Sequence, residues 1–438
     1  MPSFGKKFHI LLIVIAFALA TFFRFWAAPL SSGPDNGQFW AFAKVFQLHG
    51  LDFYRYADAS LDIFPVKGWG YVYPPVWLLI LRLALFATPT SFASSSIVDV
   101  SWRIAMKTPI ILADLAIGAL IYWLVPGPKW QKLLFASLWL FLPAAWYESG
   151  VFGQFDAIAV SFLLASLVMF ERGKGWPAFL LAGLAVMTKQ YTIIPAAIMV
   201  LMASRGMSKR RIFAGASIIL GLVVILSIPF LLTGNFYPYA RSLFIPGWQP
   251  VYQHTLVYTF SGSNAFLTYL HDTLGWQTSG LMKFNMPLLG IAVIATIVLC
   301  YRQGLTAAQG AFVGSLLFIG LSYQVNYQYL IVLMPLALII AARARYRSEK
   351  FMTLILALLP SVWLWLFDVS FWFTRYLPSN YWVIPILARV GLTHIGIPDA
   401  IFVAFAVILM LLCLSCAVLL FTKWHRKPQK EYLATTLS

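Results

Sequence analysis

The feature that most constrains this chain is the recurrence of apolar runs of about 20 residues along nearly its whole length. A helix of that length, rising 1.5 Å per residue, matches the hydrocarbon thickness of a bilayer. Because unpaired backbone polar groups are costly in lipid, only helices and closed barrels cross a membrane. Barrel sequences show short segments of alternating polarity instead of long apolar runs. The sequence therefore predicts an all-α polytopic membrane protein.

Composition agrees with that fold class and sets its scale. The 438 residues are 61% apolar and 10% charged, whereas soluble domains are nearer half apolar and a quarter charged. We expect a single integral membrane domain over residues 1–438, with an uncleaved first span and about 12 transmembrane helices. The predicted spans lie near 8–28, 73–88, 103–125, 132–147, a segment ending near 170, 176–203, 212–233, 284–303, 306–323, 327–342, 351–372 and 399–422.

The net charge of +17 is concentrated in short loops, which is typical of the cytoplasmic side of a membrane protein rather than of nucleic-acid binding. The clustered basic residues are Lys6, Lys7, Arg205, Lys209, Arg210, Arg211, Arg343, Arg345, Arg347, Lys350, Lys423, Arg426, Lys427 and Lys430. We therefore predict a plasma-membrane or inner-membrane location with both termini cytoplasmic, the tail 423–438 included. We expect no nucleic-acid partner and no obligate protein partner.

Two longer loops are predicted to be external. The first, 29–72, carries a segment at 37–49 that we expect to be an amphipathic helix lying on the membrane surface. Its predicted apolar face comprises Phe39, Trp40, Phe42, Val45 and Phe46. The second, 234–283, contains only two basic residues. The long apolar stretch 176–203 is open to two interpretations, one tilted helix or two shorter helices meeting at Lys189.

Charged residues inside predicted spans are candidates for function because each costs several kcal/mol in lipid. They are Arg24, Arg82, Lys107, Asp114, Asp156 and Lys189. Arg24 and Arg82 have a structural alternative, in which the side chain extends to the lipid headgroups. Lys107 and Asp114 lie seven residues apart, about two helical turns, so each needs a partner elsewhere in the bundle.

Asp35 heads a helical pattern in the first loop and has two interpretations. An Asp in this position is a good helix N-cap. A carboxylate at the membrane surface can also act as a general base toward a hydroxyl. The other acids of that loop are expected to be solvated, namely Asp52, Asp58 and Asp62.

The order of several short motifs resembles the multi-span glycosyltransferases of the C-type fold, especially bacterial and archaeal proteins similar to the GPI mannosyltransferases. The matching stretches are Asp35, Tyr73-Pro74-Pro75, Lys107-Thr108-Pro109 with Asp114, Gly153-Gln154-Phe155-Asp156, Gly183-Leu184-Ala185 with Lys189, Ser261-Gly262-Ser263-Asn264-Ala265-Phe266, and Asn326-Tyr327-Gln328-Tyr329. They cover most of residues 20–340.

This resemblance implies an inverting transfer of a hexose, most simply mannose, from a polyprenyl or dolichyl phosphate to a lipid, glycan or protein acceptor. It implies Asp35 as the general base. The residues it implies for the donor phosphate are Arg24, Lys67, Lys189 and Arg241, and those for substrate binding are Asp62, Tyr73, Gln154, Asp156 and Asn264. Aromatic candidates for stacking on sugars are Trp40, Tyr54, Trp69, Trp248, Tyr252 and Trp276.

The first loop has a single Asp35-Asn36 where relatives carry paired acids, so we predict no metal and no other cofactor. Two other classes of function stay open. A transporter or flippase would use the charged residues of the spans as a path, with Asp35 as a cap. A non-catalytic membrane scaffold would need none of them. Asp35→Asn separates the enzyme from both.

Overall fold

The computed structural model describes residues 2–32, 34–88, 99–248, 256, 260–367 and 398–424, and these are mostly helical. The helices of the first half are α1 Pro2–Ala27, α2 Pro34–His49, α3 Pro75–Phe86, α4 Val100–Leu124, α5 Lys129–Leu140, α6 Pro143–Trp146, α7 Asp156–Glu171, α8 Gly175–Thr188 and α9 Ile193–Ser204. Those of the second half are α10 Lys209–Leu232, α11 Phe236–Trp248, α12 Ser263–Leu274, α13 Ser279–Met282, α14 Asn285–Gln303, α15 Ala307–Leu321, α16 Leu330–Arg343, α17 Arg347–Phe367 and α18 Asp399–Trp424.

The helices confirm the predicted fold class, a multi-pass helical membrane protein. Among the described residues, five are long and apolar enough to cross a membrane, α1, α4, α10, α14 and α18. Shorter apolar helices occupy most of the other predicted spans. The predicted fourth span is shorter than expected because α5 ends at Leu140 and the chain restarts at Pro143. The total of about 12 spans stays a prediction.

The stretch 176–203 is two helices, as the second of its two interpretations requires. Helix α8 ends at Thr188 and Lys189 is extended, with φ −148° and ψ 115°. A short 3₁₀ turn, Gln190–Thr192, then leads into α9. This break returns the chain to the end of the bundle from which α8 started.

Helices α9 and α15 pack closely through two small residues. Gly310 and Gly314 lie one turn apart on α15. A Cβ atom built on Gly314 would lie 2.8 Å from the Pro195 Cα, and one on Gly310 would lie 2.9 Å from the Met202 side chain. Small residues spaced in this way let two helix backbones approach closely. Such close packing holds helices together in membranes, where apolar side chains gain little by leaving lipid.

One end of the bundle is basic, and contacts between distant segments define it. His9 of α1 hydrogen-bonds to Tyr122 near the end of α4. Arg343, at the end of α16, donates to the Leu124 carbonyl at 2.7 Å and pairs with Glu171 at 2.7 Å. The ends of four helices therefore meet at this basic face, together with the turn that follows Glu171.

Helix α2 corrects the prediction of a helix lying on the membrane. Its aromatic face is buried in the protein, with Phe39, Phe42 and Val45 at most 3% exposed. The Phe39 ring contacts Trp77 and Phe155 edge to face, at centroid distances of 5.4 and 5.9 Å. An amphipathic pattern is the same for a membrane surface and for a protein core, which is why the sequence could not distinguish them.

The second long loop carries a small antiparallel sheet and short helices. Strand β1, Phe260–Ser261, pairs with β2, Val325–Asn326, which joins two of the motif stretches identified in the sequence. Residues 249–255 and 257–259 of this loop and the predicted tail from 425 onward lie outside the described residues. The division into one domain with two external loops stays a prediction.

Candidate active site

The Asp35 carboxylate lies at the end of the bundle opposite the basic face, next to a side chain distant in sequence. Asp35 is in the first turn of α2 and half-buried. The Gln154 side-chain amide donates a hydrogen bond of 2.5 Å to its Oδ2 atom. Gln154 is 2% exposed, so it presents a fixed donor from the protein interior. The contact links the first loop to the segment that precedes α7.

The start of α2 is held by α4. The Trp102 indole N–H donates a 2.8 Å hydrogen bond to the Asn36 carbonyl, and both residues are buried. This contact fixes the backbone beside Asp35. The predicted N-cap role of Asp35 is not needed for the helix to begin, because α2 starts one residue earlier, at Pro34.

Gln154 follows an unusual piece of helix. Residues Tyr147–Phe152 form a single π-helical turn, a feature found often at functional sites. Gly153 ends it in the left-handed region, at φ +74°, and its N–H donates to the Glu148 carbonyl at 2.9 Å. Glycine tolerates this conformation without strain. The turn then directs Gln154 toward Asp35.

Lys189 brings a buried positive charge to the same place. Its ammonium pairs with Asp156, the first residue of α7, at 2.5 Å, and both side chains are at most 2% exposed. It also lies over the rings of Phe155, Tyr73 and Tyr329, at 4.3, 5.1 and 5.6 Å from their centroids. Such contacts with ring faces favour a desolvated cation. The extended break between α8 and α9 is therefore what places a charge at the site.

The electrostatics of Asp35 suit a base that works near neutral pH. Burial raises its pKa from 3.8 to about 6, while the positive charge of Lys189 and the Gln154 hydrogen bond oppose that rise. A catalytic base is most effective when its pKa lies near the working pH. Asp35 therefore combines partial exposure, a fixed donor and a suitable pKa.

The sequence-predicted residues divide into two groups. Asp35, Tyr73, Gln154, Asp156 and Lys189 lie together around the site just described. The others lie elsewhere or face different partners. The members of the first group all lie at or next to a helix terminus, at one end of the bundle.

Arg24 is held inside the bundle, and its predicted role at the donor phosphate stays a prediction. The side chain is fully buried, so it does not extend to the headgroups. Its Nε donates to Asp114 at 2.6 Å, and one terminal nitrogen donates to the Leu140 carbonyl at 2.9 Å. Ser149 also donates to Asp114, at 2.5 Å. Arg24 is therefore a link between α1, α4 and the π-helical turn.

Three further candidates are on the surface. Lys67 and Asp62 pair with each other at 2.5 Å, with side chains 62% and 98% exposed. Arg241 is exposed on α11. Their expected roles in phosphate or substrate binding stay predictions. Asn264 is buried, and its Oδ1 accepts from Thr268 at 3.1 Å within α12.

The aromatic candidates for sugar stacking are divided in the same way. Trp40 and Tyr54 are buried in the core, at 9% and 2% exposure, so they cannot stack on a sugar. Trp69 and Trp276 are more than half exposed. The Trp248 side chain and Tyr252 lie outside the described residues.

Sequence reasoning missed several residues that build the site. In the sequence Phe155 is only one position of a motif, yet its ring stacks on Trp77 at 4.4 Å and lies under Lys189. Gln190 donates to the Val72 carbonyl at 2.6 Å and so ties the start of α3 to the Lys189 break. The signal that could have found them is adjacency to a charged residue inside an apolar run.

Within the described residues, no group of three or more His, Cys, Asp or Glu side chains is arranged to hold a metal ion. The expectation that the protein needs no metal stays a prediction.

Comparisons with known proteins place the chain in a family. No curated protein sequence matches it significantly. Among solved structures, the crystal structure of ArnT from Cupriavidus metallidurans bound to undecaprenyl phosphate is similar, with 16% sequence identity and a TM-score of 0.47 over 94% of this chain and 77% of that one. Residues 71–322, more than half of the chain, match glycosyltransferase family 87. This match confirms the glycosyltransferase resemblance seen in the sequence motifs, and the chain belongs to glycosyltransferase family 87.

Proposed function

We propose that this glycosyltransferase moves a hexose from a polyprenyl or dolichyl phosphate to an acceptor hydroxyl, with Asp35 as the general base. The observation that carries the proposal is the half-buried Asp35 carboxylate, held by Gln154 and close to Lys189. The similar ArnT structure is described as bound to undecaprenyl phosphate, and a lipid-linked donor is consistent with an enzyme whose site lies at one end of a membrane bundle.

The proposed step is a single displacement. The acceptor oxygen forms a bond to the anomeric carbon while Asp35 takes its proton. The bond from that carbon to the phosphate oxygen breaks, and the lipid phosphate leaves with the electron pair. A base of this kind contributes about 10²–10⁴-fold to the rate. One displacement without a covalent intermediate inverts the anomeric configuration.

Lys189 is the proposed partner of the departing phosphate. Phosphate is a good leaving group that needs charge stabilisation more than protonation. Among the four cations expected to serve this role, only Lys189 lies beside Asp35 in the described structure. The neighbouring aromatic rings and Asp156 keep the Lys189 ammonium out of water. In such a low-dielectric environment its charge acts more strongly than it would at the surface.

Gln154 and Tyr73 are the proposed contacts to the sugar. The Oε1 atom of Gln154 is buried and has no hydrogen-bond partner within the described residues. A sugar hydroxyl would satisfy it. The Tyr73 ring lies 5.1 Å from the Lys189 ammonium and close enough to Asp35 to interact electrostatically, and its phenol is a neutral donor.

The orientation and the donor sugar belong to the same proposal. We infer that the basic face is cytoplasmic and that Asp35 faces the outside, because positive residues favour the cytoplasmic side. Mannose is the preferred hexose, and the motif resemblance alone supports it. The plasma or inner membrane is the proposed location.

The alternative of a transporter assigned Lys107, Asp114, Asp156 and Lys189 to a path through the membrane. In the structure Asp114 pairs with Arg24, and Asp156 pairs with Lys189. Three of the four residues assigned to the path are therefore held in buried pairs. Together with membership of a glycosyltransferase family, they favour the enzyme.

The test is transfer by the purified protein from a panel of radiolabelled donors. The panel holds polyprenyl-phospho-mannose, polyprenyl-phospho-glucose and the matching nucleotide sugars, with membrane lipid and peptide acceptors. We expect label transfer from a polyprenyl-phosphate donor alone, and the same rate after treatment with a chelator. Transfer from nucleotide sugars only would contradict the proposed donor.

A further inference from the structure

Lys107 is a buried cation whose position the proposed chemistry does not explain. It lies inside the span α4 and its side chain is completely buried. Its ammonium has four oxygen neighbours, donating to the carbonyls of Val151 at 2.8 Å, Ser31 at 2.9 Å and Ala28 at 3.2 Å, and to the Ser31 hydroxyl at 2.9 Å. Since a charge in a membrane span costs several kcal/mol, its presence there calls for a reason.

The four oxygens belong to two segments that are far apart in the sequence. Ala28 and Ser31 lie in the chain between α1 and α2, and Val151 lies in the π-helical turn. Ser31 is four residues before Asp35, and Val151 is three residues before Gln154. Lys107 therefore holds the backbone just before each of the two residues, Asp35 and Gln154, whose side chains hydrogen-bond to each other.

The stem of Lys107 also supports the turn. A Cβ atom built on Gly153 would lie 3.0 Å from the Lys107 Cε and 3.2 Å from its Cγ. The backbone just before Gln154 thus rests directly on the lysine side chain. Ser31 strengthens the same junction, because its hydroxyl donates to the Val151 carbonyl at 3.0 Å.

We propose that Lys107 is a positioning residue, which holds the two segments together so that Gln154 reaches the Asp35 carboxylate. The proposal rests on the proposed role of Asp35 as the base. Lys107 acts through backbone carbonyls and does not touch the substrate. An apolar residue of the same length would fill the space but would remove the donor that joins these four oxygens, and the segments would move apart.

A merely structural role for Lys107 predicts a different result from a positioning role. A structural residue lowers the amount of folded enzyme, and the surviving molecules keep the wild-type kcat and pH profile. A positioning residue changes the chemistry of the folded enzyme. A displacement of about 1 Å at a reacting group is enough to lower a rate by up to about 10²-fold.

The experiment compares Lys107→Met with four other variants in the transfer assay. Ser31→Ala is the milder change at the same junction, in case Lys107→Met does not fold. Leu112→Ala is the matched control, since Leu112 is on the same helix and 56% exposed to lipid. Asp35→Asn, alone and combined with Lys107→Met, reports whether the two residues act as one unit.

We expect Lys107→Met to lower kcat by about tenfold or more, with the donor KM changed by no more than about twofold. The pH midpoint of the remaining activity should rise above about 6, because the Gln154 hydrogen bond that lowers the Asp35 pKa is lost. Ser31→Ala should lower kcat in the same direction by a smaller factor. The double variant should be no slower than Asp35→Asn.

The outcomes separate this proposal from the proposed function. If Asp35→Asn is inactive and folded Lys107→Met or Ser31→Ala keeps the wild-type kcat and pH midpoint, the positioning role is wrong and the base remains. If Asp35→Asn keeps its activity, the assigned base is wrong, and the role of Lys107 toward it is overturned as well. Losses that add fully in the double variant would also contradict the proposal.

Discussion

At the scale of single residues, the site depends on how one carboxylate is kept partly out of water. Asp35 is half-buried, its Oδ2 accepts from Gln154, and Lys189 lies nearby. Burial disfavours the charged form, and the two neighbours favour it. The balance leaves the pKa at about 6, well above the ordinary value of 3.8.

This pKa predicts the pH dependence of the reaction. Asp35 must be ionised to accept a proton, so kcat/KM should rise about tenfold per pH unit below 6 and level off above it. The same raised pKa makes stability fall as the pH rises, whereas activity increases. The folded state binds the proton more tightly than the unfolded state, so this contribution to stability is full below about pH 3.8 and is lost as the pH rises through about 6.

A pH–rate profile of the purified enzyme from pH 5 to 8 checks this. Measuring Asp35→Glu in parallel reports whether the acidic limb belongs to this side chain, since its midpoint should move. A wild-type profile that is flat over the whole range would show that no group with a pKa near 6 controls the step.

At the scale of helices and turns, glycine at 153 is needed for two reasons. Its φ of +74° disfavours any residue with a Cβ, and a Cβ there would lie 2.9 Å from the Met106 Cε and 3.0 Å from the Lys107 Cε. Gly153→Ala should therefore lower the free energy of unfolding by about 1–3 kcal/mol and reduce activity.

Gly173→Ala is the matched control for that prediction. Gly173 has φ +69°, but nothing lies within 4 Å of a Cβ built on it. It carries the same backbone penalty without the contact with Lys107. Equal loss of melting temperature and of activity in the two variants would show that the contact at Gly153 does not matter.

The ion pair between Arg24 and Asp114 tests how α1 is attached to α4. Both side chains are at most 1% exposed. Asp114→Leu leaves a buried guanidinium without its partner and should destabilise the protein by about 3–5 kcal/mol. The double variant Arg24→Met/Asp114→Leu removes both charges and should recover most of that loss.

The melting temperature in one detergent, measured for the wild type, the single variant and the double variant, checks this pair. A double variant no more stable than Asp114→Leu would mean that the arginine makes its main contribution through the Ala20 and Leu140 carbonyls, to which it also donates.

Hydropathy predicted the helices well because a span must be apolar over a fixed length, and that property is local. It could not decide whether 176–203 is one helix or two, since both are equally apolar, and the answer depends on what surrounds Lys189. Contacts such as Asp35 with Gln154, separated by 119 residues, are set by the tertiary fold. The pairing of Arg24 with Asp114, which is 90 residues away, depends on the tertiary fold in the same way.

At the scale of the whole molecule, the bundle has a basic end and an end that carries Asp35. The positive-inside tendency predicts that the basic end is cytoplasmic. Lys129 and Ser60 are exposed positions near the two ends. The native cysteines Cys300, Cys413 and Cys416 are buried, so they leave the background of a labelling experiment low.

We expect Lys129→Cys to react with a membrane-impermeant maleimide only in inverted vesicles, and Ser60→Cys only in intact cells. Total labelling after detergent extraction is the control for reactivity. The reverse pattern would place Asp35 on the cytoplasmic side and would change the compartment in which the acceptor must be sought.

The most direct test of the central claim is hexose transfer by Asp35→Asn, measured beside Asp58→Asn. Both changes remove one carboxylate from the first loop, but Asp58 is exposed and bonds only to the nearby Ser60 within the described structure. Asp35→Asn should lower kcat by about 10²–10⁴-fold at an unchanged melting temperature, while Asp58→Asn keeps the wild-type rate. Wild-type transfer by folded Asp35→Asn would contradict the account.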